Sequence, residues 1–424
     1  MTRKNVTHWS RREFVKTAAT AMAAASAFPR VLRAASSDKP LKVGVVGCGG
    51  RGTQACQNAM TADSKLKVVA LADVFVDRLQ ECRNTIKDKA TIEDKFCFVG
   101  LDAYKKLLDI DIDYVILATP PYFRPEHLAA FVQAGKHVFA EKPVAVDPVG
   151  ARKIMEVGKL AKEKNLSIVA GTQRRHQPGY IETIKRLHDG AIGKILAGQI
   201  YWNGGQAWYK KREKGWSDQE WLLRDWNNWS YMSGDHIIEQ HVHNIDIACW
   251  VLKSHPVKAL SMGGRLRRIT GNMYDFFGTD FTFPENVHIL SQCRQINGVA
   301  KEVSEHVVGE KGQSNCNGWI TGMQLPKSDV NPYVQEHGDL IAAIRKGEPI
   351  NEAQNVAEST LAGVMARTSA YTGQEVTWEE MMKSELVLSP PDYPLTEENI
   401  RAHIPVPGTS EPTPKKKKKD KPKS

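Results

Sequence analysis

The chain has 424 residues, of which 41% are hydrophobic and 25% are charged. This composition is typical of a soluble globular protein with room for two domains, and it excludes disorder over most of the chain. The formal net charge of +10 comes from the termini, because residues 1–35 and residues 415–424 each carry an excess of six positive charges. The remaining residues have a net charge of −2, so we expect no nucleic-acid partner. The seven cysteines are scattered without a CxxC pair and are interpreted as ordinary thiols.

The amino terminus has the features of an export signal. Residues 10–16 have the sequence SRREFVK, and a weakly apolar, alanine-rich run follows from Thr17 to Phe28. This pattern is typical of a twin-arginine signal, and the run is too short to span a membrane. We therefore predict a signal peptide at residues 1–35 and a periplasmic or otherwise exported protein that leaves the cytoplasm folded, with its cofactor bound. A chance arginine pair before an alanine helix is the alternative, and the cleavage site is left open.

The carboxyl terminus has a different composition. Five lysines, from Lys415 to Lys419, follow the sequence Pro412-Thr413-Pro414. Such a composition predicts a disordered, solvated tail over residues 406–424. Contact with an anionic surface is the alternative.

A glycine-rich loop marks the first domain. The β-branched run at residues 41–46 predicts a buried strand, and Gly47, Gly49 and Gly52 follow it with GxGxxG spacing. In a dinucleotide-binding fold these glycines allow a tight turn, close approach of the pyrophosphate and tight packing of the next helix, whose first amides face the anion. The predicted cofactor-binding residues of this loop are Gly47, Cys48, Gly49, Gly50, Arg51 and Gly52.

An acidic residue follows the second predicted strand. The apolar run at residues 66–72 ends at Asp73, which lies 26 residues after Gly47. At the end of a strand, a carboxylate accepts the ribose hydroxyls of NAD and repels the 2′-phosphate of NADP. The sequence therefore favours NAD as the cofactor. NADP is the alternative, because Arg51 or Arg78 could soften the preference.

Two further buried strands are predicted at residues 113–119 and 137–140. The first is broken by Pro120-Pro121, and the second leads into Glu141-Lys142-Pro143. Alternating strands and helices predict an α/β domain with a parallel, doubly wound sheet of Rossmann type, which we assign to residues 40–165. In such a sheet the ligands bind beyond the carboxyl ends of the strands.

Three motifs in this order, GCGGRG at residues 47–52, ATPP at 118–121 and AEKPVA at 140–145, resemble the Gfo/Idh/MocA family. The family is named for glucose-fructose oxidoreductase, inositol 2-dehydrogenase and a rhizopine-catabolism protein, and the likeness extends from about residue 41 to about residue 380. In that family the lysine of the AEKP motif contacts the reacting hydroxyl and the cofactor. Lys142 occupies the matching position, with an exposed lysine in a turn as the alternative.

The resemblance implies further expectations. The second domain, residues 166–405, should be of the α+β type with a large, open, mainly antiparallel sheet, and the protein should be a homo-oligomer. A segment such as residues 331–371 packs back near the cofactor in the family, whereas a plain core helix is the alternative for most of its residues. The further cofactor-binding residues implied are Thr119, Pro120, Glu141, Lys142 and Gln173.

Tryptophan, asparagine and arginine are concentrated between Tyr201 and Trp229. Aromatic rings among amides and charges suit a polyhydroxylated ligand, because the faces of a pyranose stack on rings while its hydroxyls form hydrogen bonds. An irregular loop that packs its own tryptophans is an equal alternative.

The segment from Gly234 to Asp246 carries the predicted base. The family usually has an aspartate, a histidine four residues later and an aspartate three further on, and Glu239, His243 and Asp246 fill this pattern. On a single helix these spacings put all three side chains on one face. We predict that His243, held by Glu239, accepts the alcohol proton as hydride leaves for the nicotinamide. Glu239 in place of aspartate and His241 in place of a small glycine leave the substrate open.

A zinc site is the alternative function of this segment, because His236, Glu239 and His243 lie near one helical face. Dehydrogenation by lysine and histidine needs no metal, so we predict none. The predicted catalytic residues are Lys142, Glu239 and His243. The predicted substrate-binding residues are Lys142, Arg174, Trp202, His243 and Asp246.

These features together predict an exported NAD(P)-dependent oxidoreductase that transfers hydride between a secondary hydroxyl of a sugar, glycoside or polyol and a tightly held nicotinamide. An NAD-dependent glycosidase or lyase that oxidises its substrate only transiently shares every motif and is the alternative. A non-catalytic carbohydrate-binding protein is the third hypothesis, against which Lys142 and His243 argue.

Overall fold

The computed structural model describes residues 39–408 of the protein. The predicted signal at residues 1–35 lies outside this range, as do residues 409–424 of the tail predicted at 406–424. Residues 406–408 are described, and the Gly408 amide donates to the Thr372 carbonyl at 3.1 Å, so the predicted start of the disordered tail at residue 406 is too early. The strands are β1 (Lys42–Val46), β2 (Lys67–Asp73), β3 (Cys97–Val99), β4 (Tyr114–Leu117), β5 (His137–Ala140), β6 (Ile168–Ala170), β7 (Ile195–Gly204), β8 (Lys258–Gly264), β9 (Phe276–Phe283), β10 (Val287–Gln295), β11 (Glu302–Gly309), β12 (Gly312–Ser314), β13 (Trp319–Ile320), β14 (Met323–Gln324) and β15 (Val376–Thr377).

The α-helices alternate with the early strands and are grouped between the later ones. They are α1 (Gly50–Ala62), α2 (Val76–Ile86), α3 (Ala103–Leu108), α4 (Arg124–Gln133), α5 (Pro148–Glu163), α6 (Pro178–His188), α7 (Asp218–Arg224), α8 (Ser230–Ser233), α9 (His236–Glu239), α10 (Val242–Leu252), α11 (Pro332–Lys346), α12 (Ala353–Thr372), α13 (Trp378–Lys383) and α14 (Glu397–Ala402). None of the helices between residues 39 and 408 is long and apolar enough to cross a membrane.

The first sheet has six parallel strands in the order β3-β2-β1-β4-β5-β6. This order is that of a doubly wound Rossmann sheet, so the predicted fold of the first domain is confirmed. The strands predicted at residues 66–72, 113–119 and 137–140 are present as β2, β4 and β5. Strand β6 lies beyond the predicted boundary at residue 165, because it pairs with β5 and completes the same sheet.

Both faces of the first sheet are covered, which is why its strands are apolar without alternation. Val45 and Ile116 point to the face packed by α1, whereas Val115 and Leu117 point to the face packed by α4. Leu340 of α11 also joins the cluster around Val45, although it comes more than 200 residues later in the chain. The segment at residues 331–371 therefore returns to the nucleotide domain, as the resemblance implied.

The second sheet has nine strands in the order β14-β13-β12-β11-β7-β10-β9-β8-β15. Only the pair β7 and β10 is parallel among the strands of this sheet, so the predicted large, mainly antiparallel sheet is confirmed. One face packs against α10 and α12. The other face is open, and Leu260, Met262 and Leu290 on it are 55%, 74% and 44% exposed. We call these three residues the open apolar face.

Candidate active site

The glycine loop has the geometry that a dinucleotide requires. Gly47 has a φ of 91°, and a Cβ there would lie 2.7 Å from the carbonyl carbon of Ala118. A Cβ at Gly52 would lie 1.8 Å from the carbonyl oxygen of Gly47, whereas a Cβ at Gly49 would have no atom within 4 Å. The tight turn, the tight helix packing and the open space above the second glycine are therefore all present.

Helix α1 begins inside this loop. Its N-cap is Gly49, no side chain caps it, and its first turn contains no acidic residue. The unpaired amides at the start of a helix, together with the helix dipole, attract an anion. The loop therefore suits the pyrophosphate of a dinucleotide.

Asp73 lies at the end of β2 beside this loop. Its Oδ2 accepts a hydrogen bond from the Cys48 amide at 2.6 Å, and its Oδ1 accepts one from the Phe75 amide at 2.8 Å. Burial raises the pKa of the Asp73 carboxyl, and the two amides oppose that shift. Each carboxylate oxygen keeps a lone pair, so Asp73 can still accept hydrogen bonds from ribose hydroxyls as predicted.

The loop opens into a cleft of about 350 Å³. Its first wall includes Asp73, Thr119 and Pro120, all at the carboxyl ends of the first sheet's strands. Its second wall comes from the second domain and includes Trp208 and Trp226. The position and size fit the adenosine and pyrophosphate parts of NAD.

Arg51 connects three separate parts of the chain. Its Nε donates to Glu141 at 2.5 Å, its Nη2 donates to Glu336 at 3.1 Å, and its guanidinium lies 5.0 Å from the centre of the Tyr333 ring. The hydroxyl of Tyr333 in turn accepts a hydrogen bond from Gln173 at 3.1 Å. Two carboxylates therefore hold Arg51, and the predicted cofactor-binding residues Glu141 and Gln173 belong to the same network.

Glu336 was missed by the sequence analysis. It lies on α11, its side chain is fully buried, and its Oε2 has no hydrogen-bond partner among residues 39–408. Burial and the nearby Glu141 raise the pKa of Glu336 well above its ordinary value, although Arg51 opposes the shift. The one sequence signal was its place on a helix expected to return to the cofactor.

Lys142 follows β5 and forms an ion pair with Glu239 of the second domain. The Lys142 Nζ lies 3.2 Å from Glu239 Oε1 and also donates to the backbone carbonyl of Glu239. The two side chains are only 12% and 15% exposed. Glu239 therefore positions the predicted catalytic lysine.

The prediction that a single helix carries Glu239, His243 and Asp246 is wrong. The segment forms two helices, α9 and α10, with Gln240 and His241 between them. The reason is that both intervening side chains bond to the second sheet. The Gln240 side-chain oxygen accepts from Trp202 at 3.0 Å, and the His241 ring lies 2.7 Å from the Ser291 hydroxyl.

The three residues consequently have different partners. Glu239 contacts Lys142. Within residues 39–408 no hydrogen bond joins Glu239 to His243, so the predicted contact between this carboxylate and the imidazole is absent there. Asp246 accepts hydrogen bonds from Nε and Nη2 of Arg175 at 2.8 and 2.9 Å and from the Ser359 hydroxyl at 2.7 Å. Its carboxylate is thus held inside the protein, and its contact with substrate stays a prediction.

His243 is buried beside Trp202. Their ring centres are 5.7 Å apart with an angle of 21° between the planes, and His243 Nδ1 has no partner among the described residues. Burial, followed by the charges of Lys142 and Arg174, lowers the pKa of His243 well below its ordinary value. The imidazole is therefore neutral near pH 7 and can accept a proton.

Arg174 also lies beside Trp202. Its guanidinium is 5.8 Å from a ring centre of Trp202 and is paired with Glu305. Tyr180 and Asn244 donate to the same carboxylate, at 2.9 and 2.5 Å. The two predicted substrate-binding residues, Arg174 and Trp202, are thus adjacent to the predicted base.

The side chains of the histidine-rich segment point to different surroundings. Between residues 39 and 408 no three histidine, cysteine or carboxylate side chains lie close enough to share a metal ion, so His236, Glu239 and His243 do not converge. His236 instead lies 3.0 Å from Asp235 and packs against Phe277.

The tryptophans between Tyr201 and Trp229 have different surroundings. Trp202 lies at His243, whereas Trp208 and Trp226 line the cofactor cleft and contact each other edge to face at 5.8 Å. Trp229 is fully buried against Trp221. The loop therefore does pack its own tryptophans, and only Trp202 lies where a substrate platform is expected.

Comparison with known families agrees with this geometry. Residues 41–172 match the model of an oxidoreductase family with an NAD-binding Rossmann fold, and residues 180–314 match the Gfo/Idh/MocA C-terminal domain. The chain belongs to the Gfo/Idh/MocA family. The predicted family and its NAD-binding first domain are thereby confirmed.

Two curated Gfo/Idh/MocA relatives illustrate the range of named activities. The chain is 27% identical to an inositol 2-dehydrogenase of Acidothermus cellulolyticus over 165 residues, which are 39% of this chain and 46% of the relative. It is 28% identical to the 2,7-anhydro-N-acetylneuraminate hydratase of Escherichia coli over 176 residues, which are 41% of this chain and 43% of the relative. The matches therefore span less than half the length of these relatives.

Solved Gfo/Idh/MocA structures match over a longer stretch. Scyllo-inositol dehydrogenase from Lactobacillus casei, solved with NAD(H) and scyllo-inositol, has a TM-score of 0.61 and covers 80% of this chain and 99% of its own. The sequence identity is 18%, so this likeness shows the shared fold.

Proposed function

We propose that the protein oxidises a secondary hydroxyl of a sugar, glycoside or polyol with NAD as the hydride acceptor. The observation that supports this most directly is geometric: Lys142, which follows β5, forms an ion pair at 3.2 Å with Glu239, four residues before the buried His243. An ammonium donor and a neutral imidazole thus lie together where the first sheet's strands end. This is where ligands of a doubly wound sheet bind.

Lys142 and His243 have different roles in the proposed reaction. When bound, NAD supplies a hydride acceptor in its nicotinamide ring. Lys142 donates a hydrogen bond to the oxygen of the reacting hydroxyl and stabilises the negative charge that develops there. His243 accepts the hydroxyl proton. Glu239 keeps the Lys142 ammonium in place through the ion pair at 3.2 Å.

The neighbouring side chains support a carbohydrate substrate. Trp202 offers an aromatic face next to His243, and Arg174 lies beside the same ring. Rings and charged donors around a buried base suit a molecule with apolar faces and many hydroxyls. Relatives named as inositol dehydrogenases act on such a polyol, which favours the same substrate class here.

A second candidate is a reaction that oxidises the substrate only transiently, such as glycoside cleavage. It is favoured by the relative named as a hydratase, because adding water changes no net oxidation state. We would incubate the purified protein with a panel of glycosides and polyols, with and without added NAD, and identify products by mass spectrometry. A product two hydrogens lighter, formed with NADH, supports the dehydrogenase. A cleaved or hydrated product without net NADH formation supports the second candidate, and no product from any panel member contradicts both.

Two further proposals concern location and assembly. The sequence SRREFVK at residues 10–16 supports export by the twin-arginine route. The open apolar face, Leu260 with Met262 and Leu290, supports a homo-oligomer, because an exposed apolar patch on a sheet is typical of an interface. Sedimentation of the wild type and of Met262→Glu should show an oligomer that the variant loses. A monomeric wild type would contradict the assembly.

A further inference from the structure

The cofactor cleft has a wall that the glycine-loop motif does not account for. Residues 205–229 of the second domain, which we call the cap, reach across to the nucleotide domain. The cap residues that line the cleft are Trp208, Lys210, Leu223, Arg224 and Trp226. They lie opposite Asp73 and Phe75, at the end of the cleft where Asp73 would bind the adenosine ribose.

Arg224 fastens the cap to the nucleotide domain. Its guanidinium lies 3.8 Å from the centre of the Phe75 ring, a cation–π contact. Its two terminal nitrogens bind both oxygens of Asp77, at 3.0 and 3.1 Å. Phe75 and Asp77 lie two and four residues after Asp73, and Asp73, Phe75 and Arg224 line the same cleft. The contact of Arg224 with Phe75 and Asp77, which we call the latch, therefore lies beside the predicted ribose site.

The cap is itself firmly built into the second domain. Asp225 is fully buried and accepts hydrogen bonds from the Lys210 amide at 2.7 Å and from Thr270 at 2.8 Å. Asn228 donates to Asp225 at 2.9 Å and to the carbonyl of Trp208 at 3.1 Å. Trp208 and Trp226 are therefore held at the cleft by a network of buried polar contacts.

Apolar surface remains exposed on both walls of this cleft. Leu101 on the nucleotide domain is 48% exposed and Trp208 on the cap is 49% exposed. A planar base bound between the walls would remove this surface from water, at roughly 25 cal/mol per Å² of apolar area. Arg78 and Lys210 also line the cleft and add positive charge toward an anionic dinucleotide.

We propose that the cap closes over the adenosine half of NAD and holds it as a retained group, released only when the contact of Arg224 with Phe75 and Asp77 opens. The inference concerns cofactor retention and does not depend on which substrate is oxidised. It follows that the dissociation rate of NAD is set by the cap as well as by the glycine loop, since affinity differences among variants arise mainly in dissociation.

The test measures cofactor release without a substrate. Purified holoprotein is loaded with NADH and diluted into excess NAD, and the loss of bound-NADH fluorescence gives the dissociation rate. Asp77→Asn removes a negative charge from the cleft and Arg224→Gln removes a positive one. A purely electrostatic effect on the anionic cofactor would therefore change release in opposite directions, whereas a latch predicts faster release in both, by roughly tenfold or more.

The matched control is Asp218→Asn. Like Asp77, Asp218 is about half exposed, lies in the first turn of a helix and pairs with an arginine, but its partner Arg212 belongs to the cap itself. This variant should release NADH within twofold of the wild-type rate. Trp208→Ala, which leaves the latch intact, should also release faster than wild type because the apolar wall is lost.

Folding of each variant is checked by its thermal midpoint. Release at the wild-type rate from both Asp77→Asn and Arg224→Gln would overturn the proposal, as would opposite changes in the two. If the product assay showed no dehydrogenase activity, the release measurement would still test the proposed latch, because it uses no substrate.

Discussion

Lys142 and Glu239, which are 97 residues apart in the chain, form an ion pair across the boundary between the two domains. Glu239 is therefore the partner of Lys142 and not, as the sequence predicted, the partner of His243. It also means that the lysine of the first domain is oriented by the second domain. The proposed reaction therefore requires both domains in their observed relation.

The first prediction follows from this pair. Lys142→Ala and His243→Ala should each reduce turnover by roughly 10²-fold or more, the usual loss when a general acid or base is removed. Glu239→Gln should have an intermediate effect, because the amide can still accept a hydrogen bond but carries no charge to hold the ammonium. The measurement is single-turnover reduction of bound NAD, followed by absorbance.

Cofactor content is the internal control for these variants. NAD binding should survive in all three, since the glycine loop and Asp73 are unchanged. Lys153→Ala, which removes an exposed ion pair with Glu126 on the same domain, should keep wild-type turnover within about twofold. Near-normal rates in His243→Ala would exclude that residue as the base.

The second prediction concerns pH. His243 must be neutral to accept a proton, and burial and Lys142 lower its pKa well below the ordinary value of about 6.5. The base should therefore remain active below pH 6.5, and kcat/KM should fall only as the pH drops through the lowered pKa. In Lys142→Met the residual activity should be lost at a higher pH than in the wild type, because the neighbouring positive charge is gone. Profiles with the same acid limb would show that the charge of Lys142 does not lower the pKa of His243.

The sequence predicted the first domain well because its signals are local. The glycine spacing, the apolar strands and the lysine after β5 each depend on a few consecutive residues, and the structure has them in place. The break between α9 and α10 could not be predicted, since it depends on bonds from Gln240 and His241 to strands 38 and 50 residues away. The link from Arg51 to Glu336 spans 285 residues and is equally invisible to local patterns.

The tryptophans of the cap also show what local sequence patterns cannot predict. The sequence shows a cluster of tryptophans between Tyr201 and Trp229, but composition alone does not determine which ligand the rings face. In the structure Trp202 lies at His243 while Trp208 lies at the cofactor cleft. The buried hydrogen bonds of Asp225 fix the position of the cap, and that position distinguishes a tryptophan at the cofactor cleft from one at the predicted base.

The third prediction concerns the choice of cofactor. Protein purified under native conditions should release NAD(H) rather than NADP(H) on denaturation, because Asp73 repels a 2′-phosphate. Asp73→Asn removes that charge and keeps one side-chain acceptor, so the ratio of NADP to NAD affinity should rise by roughly tenfold. Fluorescence titration with NADH and NADPH measures both affinities. NADP(H) as the main species released from the wild type would overturn the assignment.

The fourth prediction concerns export. Replacing Arg11-Arg12 by Lys-Lys should leave the precursor in the cytoplasm, because the two side chains differ in geometry and the receptor reads the guanidinium pair. The assay is fractionation of cells that express the full chain, with detection of precursor and mature forms. Replacing Lys415-Lys416 by Arg-Arg in the tail is the matched control and should not change export. Undiminished export of the first variant would refute the twin-arginine assignment.

The last prediction concerns stability in acid. Burial lowers the pKa of His127 to about 4 and, together with nearby positive charges, lowers the pKa of His241 and of His337 to about 3. Below about pH 6.5 the unfolded chain therefore binds more protons at these three histidines than the folded one, and their contribution to the free energy of unfolding falls as the pH falls. His176 has the opposite sign: burial opposes protonation, but Glu352 and Asp339 raise its pKa to about 10, so its contribution is complete below pH 6.5 and is lost as the pH rises through 10.

His337→Phe isolates one of these groups. The His337 ring packs 4.1 Å from Phe139, and neither of its nitrogens has a partner within residues 39–408, so phenylalanine keeps the packing and removes the proton site. Urea unfolding at several pH values between 4 and 6.5 should show a pH slope smaller than wild type by about 1.4 kcal/mol per pH unit, the value for one proton. His306→Phe, on the exposed side of β11, should keep the wild-type slope. Equal slopes in His337→Phe and wild type would mean that His337 is not held neutral by the fold.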